Sequence, residues 1–129
     1  SVAFNGRLKT IVEGNGFVRM TNTYPKVASV GVTEDQCNAM GLKYTTAISG
    51  LTQKEATWSP SAEDGFIKII CSREKKILGA TFVAPNAEIL IQEISLAMRN
   101  GLTVIDIAAA PHVGMSLAEA VRVTARKLL

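Results

Sequence analysis

The amino-acid sequence predicts an α+β fold in which helices pack on an antiparallel sheet. One observation is the order of the patterns, because strand-like segments fill most of the chain before residue 84 and helix-like segments follow. The other is a hairpin signal, in which the apolar runs 66–71 and 77–83 flank the polar turn 72–76. Segregated strands and helices favour this class over a doubly wound parallel sheet, in which the two alternate.

Three further strands are predicted ahead of the hairpin. Residues 17–23 alternate in the manner of a strand, and the apolar segments 27–32 and 42–48 predict two more. The polar stretch 51–65 is predicted to be a loop or a set of short helical turns. Within the hairpin, Gly79 predicts a bulge or a close approach of two backbones.

Capping boxes mark the start of three helices. They lie at 33–36, 103–106 and 116–119, and in each a Ser or Thr precedes a Glu, Gln or Asp by three residues. The first box predicts a short helix that ends at Gly41, because glycine is the usual residue just after a helix. The second predicts a short helix that stops before Pro111, and the third predicts the terminal helix.

A fourth helix is predicted over residues 87–100, where apolar residues recur at spacings of three and four until Gly101. Its apolar residues lie on more than one side. We therefore expect two surfaces to cover it, its own sheet and something else. The residues on its main apolar side include Leu90, Ile91, Ile94, Ala97 and Met98.

The composition is that of one globular domain, with 47% apolar and 19% charged residues. The formal net charge is +3, and basic residues cluster at 73–76 and 122–127 without aromatic residues beside them. Nucleic-acid binding typically combines a basic surface with stacking aromatics, so we predict no nucleic-acid partner and interpret both clusters as solvated surface. The longest apolar runs are too short for a membrane span, so no membrane partner is expected either.

Motifs for cofactor or metal binding are missing from the sequence. It has one histidine and no G-x-G-x-x-G phosphate motif, so we expect this chain alone to bind neither a metal nor a nucleotide cofactor. Cys37 and Cys71 lie 34 positions apart, a spacing typical of neither a metal site nor a redox pair. Free thiols without a secretory leader predict a cytoplasmic location. The start at Ser1 leads us to expect a piece of a longer chain.

Two residues near the terminal helix have side chains suited to acid–base chemistry. His112 follows Pro111 in a linker, where an imidazole can project into a site and move protons near neutral pH. A linker histidine without any role explains the same position, because catalysis normally needs a positioned partner. Glu119 is similarly open to two interpretations, since its place in a capping box accounts for it without catalysis.

Five stretches, in order and with compatible gaps, carry a resemblance over residues 17–129. The chain resembles the C-terminal dimerisation domain of the pyridine nucleotide-disulfide oxidoreductases, the family of dihydrolipoamide dehydrogenase, glutathione reductase and mercuric reductase. Residues 1–16 resemble the end of the flavin-domain helix that precedes this domain. The stretches that carry the resemblance are 25–34, 65–68, 77–80, 84–87 and 97–104.

The resemblance implies a two-fold homodimer built on an antiparallel sheet. The helix over 87–100 would then carry the dimer interface, with Leu90, Ile91, Ile94, Ala97 and Met98 as the predicted interface residues. It also implies a parent protein that is an FAD-dependent NAD(P)H oxidoreductase, whose upstream domains hold FAD, the nicotinamide site and the redox cysteines. This chain would bind no cofactor by itself and would not catalyse a reaction alone.

One family motif is altered here. Such enzymes carry a stretch His-x-His-Pro-x-Leu-x-Glu, which corresponds to residues 112–119. Glu119 matches the family's glutamate and His112 matches the earlier histidine, whereas Gly114 stands at the catalytic histidine. A second departure is Ile89, where many relatives carry Glu. The resemblance therefore implies that the usual acid–base residue has been replaced.

Two alternatives remain open from the sequence. Mercuric reductases also lack this histidine and use paired cysteines near the C-terminus, which would lie beyond Leu129 in a longer chain. The second alternative is a stand-alone assembly module that has the same fold and no catalytic role.

Overall fold

The computed structural model describes residues 18–21, 26–50, 65–112, 114 and 117–129. The predictions for residues 1–16, for the loop after residue 50, and for Ser116 as a helix cap lie outside the described residues.

A five-stranded sheet forms the centre of the described structure, and every neighbouring pair in it is antiparallel. Its spatial order is β1-β2-β5-β4-β3, so that β1 and β3 form the edges. The α+β class with an antiparallel sheet is thus confirmed. The strands are β1 (Arg19–Thr21), β2 (Val27–Gly31), β3 (Tyr44–Gly50), β4 (Phe66–Ser72) and β5 (Ile77–Val83).

Four helices accompany the sheet in the part of the chain that the structure describes. Three of them, α2, α3 and α4, cover one face, and the main core lies between them and the strands. The first helix, α1, covers a smaller apolar cluster that includes Val32, Cys37, Ile70 and Leu78. The helices are α1 (Glu34–Ala39), α2 (Ala87–Arg99), α3 (Val104–Ala109) and α4 (Leu117–Arg126).

Local sequence signals fix the ends of the short helices. Thr33 before α1 and Thr103 before α3 both form the predicted capping boxes, with Gln36 and Asp106 as the reciprocal partners. Gly41 after α1 adopts a left-handed conformation with φ of +69°. The amide of the residue that follows it donates to a carbonyl five residues earlier, which closes the helix end.

The third strand lies two residues later than predicted, at Tyr44–Gly50 rather than 42–48. The reason is local, because the amide of Leu42 is used to close α1 by donating to the carbonyl of Cys37 at 2.9 Å. Pairing with β4 begins only at Tyr44, opposite Ser72.

Helix α2 places the residues predicted for a dimer interface mostly toward its own sheet. Leu90 is half-buried at the edge of the main core, and the other four residues are buried in it, which accounts for their apolar character without a second chain. The outward side chains are instead Ile89 and Leu96, which are 66% and 64% exposed. The buried four are Ile91, Ile94, Ala97 and Met98.

Two glycines allow β2 and β5 to approach closely. Gly31 and Gly79 are partners in the register of these strands. A Cβ atom on Gly31 would lie 2.3 Å from the carbonyl oxygen of Leu78, and one on Gly79 would lie 2.1 Å from that of Val32. The close backbone approach predicted at Gly79 is therefore confirmed.

Both cysteines are free and fully buried, on opposite faces of the sheet. Burial raises the pKa of the Cys37 thiol, and the charge of Glu34 raises it further. Burial also raises the pKa of the Cys71 thiol, against a smaller opposite effect of Lys75. Both groups are thus held as neutral thiols, the unreactive form.

We expect the folded protein to react at least about tenfold more slowly with a thiol reagent at pH 8 than the denatured protein, because the thiolate is the reactive species. Colorimetric titration with a disulfide reagent, with and without denaturant, measures both rates. Denatured protein should release two equivalents, one for each cysteine. A rapidly reacting thiol in the folded protein would contradict the placement of that cysteine.

Candidate functional site

The candidate site is built around the linker between α3 and α4. Helix α3 ends before Ala110, which has an extended conformation with ψ of 139°. The residue that precedes a proline is sterically biased toward this conformation, and Pro111 follows. The chain leaves the helix in this way and brings His112 back toward α2.

His112 is held by two hydrogen bonds, and its side chain is only 5% exposed. Its Nδ1 lies 2.7 Å from the carbonyl oxygen of Ala110. Its Nε2 lies 2.7 Å from Oε2 of Glu93, a residue of α2 that is 19 positions away in the sequence. Neither ring nitrogen is therefore left for a substrate, although the sequence offered His112 as an acid–base candidate.

Glu119 lies in the first turn of α4 and is paired with Arg122. The Nε of Arg122 lies 3.1 Å from each carboxylate oxygen, and its Nη2 also donates to Oε1. The pKa of the Glu119 carboxyl is lowered, mainly by this hydrogen bonding. Desolvation opposes the effect, and the charges of Arg122, His112 and Arg126 strengthen it. Glu119 is therefore an ionised carboxylate at neutral pH.

Gly114 is exposed and lies between these two groups in the sequence. Apart from its chain neighbours, no atom of the described residues lies within 4 Å of a Cβ atom built on it. Its φ lies outside the left-handed region, so a larger residue would not strain the backbone. Glycine has no side chain and so supplies no acid–base group at this position. A larger side chain could be accommodated there.

The site holds charged side chains in place through hydrogen bonds. Among its described side chains, none is left free to transfer a proton to or from a substrate. Glu119 is ionised and held by Arg122, and both ring nitrogens of His112 are occupied. Arg122 was not singled out from the sequence, although its position three residues after Glu119 on a helix was a usable signal. Glu93 had no such signal, because only the tertiary fold brings it to His112.

The described residues were compared with the arrangements typical of metal sites and of membrane-spanning helices. No group of three or more His, Cys, Asp or Glu side chains among these residues has the arrangement of a metal site. Among the described helices, none is both long and apolar enough to cross a membrane.

Comparison with known proteins gives a family match over most of the chain. The model for the pyridine nucleotide-disulphide oxidoreductase dimerisation domain matches residues 17–125. Dihydrolipoyl dehydrogenase 2, mitochondrial, of Arabidopsis thaliana is 35% identical over 101 residues, which are 78% of this chain and 20% of that protein. Dihydrolipoyl dehydrogenase of Halobacterium salinarum is 31% identical over 99 residues, 76% of this chain and 21% of that protein. The chain thus spans about a fifth of the length of these curated relatives.

Solved structures agree with the family match. The crystal structure of LpdA from Mycobacterium tuberculosis has a TM-score of 0.80 at 31% identity, over 89% of this chain and 25% of that one. The flavoprotein disulfide reductase RclA from Escherichia coli has a TM-score of 0.79 at 16% identity, over 88% of this chain and 26% of that one, a likeness in fold alone. By the family match over residues 17–125 and these identities, the chain belongs to the pyridine nucleotide-disulphide oxidoreductases, as their dimerisation domain.

Proposed function

We propose that this chain dimerises a flavin-dependent NAD(P)H oxidoreductase of the dihydrolipoamide dehydrogenase type, in which Gly114 replaces the usual catalytic histidine. The parent protein would hold FAD and NAD(P)H outside this chain, whose sequence has no glycine-rich phosphate motif. In the resulting homodimer, Glu119 and the linker before it would lie at the active site of the partner subunit.

The observation that carries the assembly role is the outward side of α2. Ile89 and Leu96 are seven residues apart, two helical turns, so they lie on the same side of the helix. Both are about two-thirds exposed, although the opposite side of the helix is buried in the core. Burial of such side chains against a second copy would remove apolar surface from water and stabilise the dimer. We therefore assign the interface to this side of α2.

The test is the molar mass of the chain by light scattering across a concentration series. We expect a dimer, and we expect Leu96→Glu to weaken dimerisation by about tenfold or more, because a charge would be buried at the interface. The matched control is Asn38→Glu, which places the same charge on the exposed side of α1. Dimerisation that is equally tight in all three proteins would contradict the assigned side of α2, and a monomeric wild-type chain would contradict dimerisation by this chain alone.

A stand-alone assembly module is the second candidate, and the pairing of Glu119 with Arg122 favours it. A carboxylate that pairs with an arginine, in a chain with glycine rather than histidine at position 114, fits a site without catalysis. The coding sequence upstream separates the two candidates. A G-x-G-x-x-G motif and a Cys-x4-Cys spacing in the same reading frame would support the oxidoreductase, and an independent start codon would support the module.

A further inference from the structure

The hydrogen bonds of His112 require more protons than a neutral imidazole carries. A neutral ring has one N–H donor and one nitrogen lone pair, whereas both nitrogens of His112 face oxygen acceptors at 2.7 Å. A carbonyl oxygen cannot donate, so Nδ1 must carry a proton toward Ala110. The carboxylate of Glu93 would repel a lone pair on Nε2, so the second nitrogen must be protonated as well.

We propose that Glu93 and His112 form a charged positioning pair that holds the linker between α3 and α4 against α2. The residues that it would position, Gly114 and Glu119, matter for catalysis only under the proposed function. The pair itself rests on the geometry of this chain and does not depend on that function.

The fold explains why this contact can act as an anchor. Glu93 belongs to α2, whose buried side is fixed in the main core by residues such as Ile91 and Ile94. His112 belongs to the linker that leads directly to α4. With only 5% of the histidine side chain exposed, water has little access to replace a lost partner. The Glu93 side chain is 33% exposed, so the histidine is the partner that would be left charged and shielded from water if the contact were removed, which is unfavourable.

Charged side chains on α2 and α4 lie around the pair. Glu93 on α2 bonds the His112 ring directly, and the carboxylate of Glu119 on α4 lies near enough for the His112 charge to lower its pKa. Arg122 and Arg126 on α4 offset part of this negative field, since they too act on Glu119. The two hydrogen bonds of the ring use both of its protons, so loss of either proton would remove one of the contacts that hold His112.

The test uses the fact that His112 is the only histidine in the sequence, so its ring signals in an NMR spectrum are unambiguous. At pH 6 we expect both ring N–H protons to be visible in the wild-type chain, because hydrogen bonding slows their exchange with water. In Glu93→Gln we expect the Nε2 proton to disappear and the amides of Ala120 and Val121 in α4 to exchange about tenfold faster.

The matched control is Glu88→Gln. It removes a carboxylate from the same helix, but this carboxylate pairs with Lys26 rather than with His112. It should leave both ring protons and the α4 exchange rates unchanged. A wild-type ring with a single slowly exchanging proton at pH 6 would overturn the charged pair, whatever the variants do. A Glu93→Gln variant that loses the Nε2 proton but keeps wild-type exchange in α4 would overturn the positioning role. Neither result bears on dimerisation or on the flavin enzyme, so a failure here is distinct from a failure of the proposed function.

Discussion

Replacing Ile94 with glutamate is expected to unfold the protein. The Ile94 side chain is fully buried on the core side of α2. The variant would lose the burial of a large aliphatic side chain and place a carboxylate among apolar neighbours without a partner. Together these effects are expected to cost about 5 kcal/mol or more, comparable to the whole stability of a small domain. Circular dichroism and chemical denaturation measure the loss.

Leu96→Glu is the matched control, because the same substitution is made two residues later on the same helix. Leu96 is largely exposed, so its replacement should change the free energy of unfolding by about 0.5 kcal/mol or less, measured on the monomer at low concentration. If Ile94→Glu loses its fold while Leu96→Glu loses only its self-association, the two sides of α2 have different roles, one in the core and one in the dimer interface. Equal stability of the two variants would mean that the helix is oriented differently from the structure.

Under the proposed function, introducing a histidine at Gly114 is the change with the largest expected effect on activity. In the flavin-loaded parent enzyme, Gly114→His is expected to raise kcat/KM for disulfide reduction by about a hundredfold, the usual contribution of a positioned acid–base group. Among the described residues beyond its chain neighbours, none lies within 4 Å of a Cβ atom at Gly114, and the carboxylate of Glu119 follows in the first turn of α4. Steady-state kinetics across a pH series would detect both the gain and the ionisation of the new group.

Gly114→Gln serves as the control for this gain, because glutamine adds a polar side chain of similar reach without an acid–base group. An equal rise in both variants would attribute the effect to filling the space. No rise in a folded, flavin-loaded Gly114→His protein would mean that the parent enzyme uses a mechanism that does not need a base at this position.

Local sequence signals predicted the fold better than they predicted the surfaces. The capping boxes at Thr33 and Thr103 involve contacts within one turn, so their spacing alone determines the structure. The spacing of apolar residues in α2 was equally clear. Such a spacing shows that one side of a helix is buried, but it does not show whether the sheet or another chain covers that side. That is why Ile94 was expected at a partner chain and lies in the core, whereas Leu96 faces outward.

The candidate site was only partly predictable for the same reason. Glu119 and Gly114 could be located through the family motif, because that motif is contiguous in the sequence. The pairing of His112 with Glu93 joins residues 19 positions apart, and it exists only because the linker after α3 returns to α2. No spacing in the sequence encodes such a contact.

The glycine pair between β2 and β5 has a consequence for how sequences with this fold can diverge. A new side chain on Gly31 would collide with the backbone at Leu78, and one on Gly79 would collide with the backbone at Val32. Backbone obstacles cannot be relieved by shrinking a neighbouring side chain, so a change at either glycine has no compensating partner. In the apolar core, by contrast, a larger side chain at one position can be compensated by a smaller side chain at a neighbouring position. Two glycines at these paired positions should therefore identify distant relatives after the surrounding core residues have drifted beyond detection.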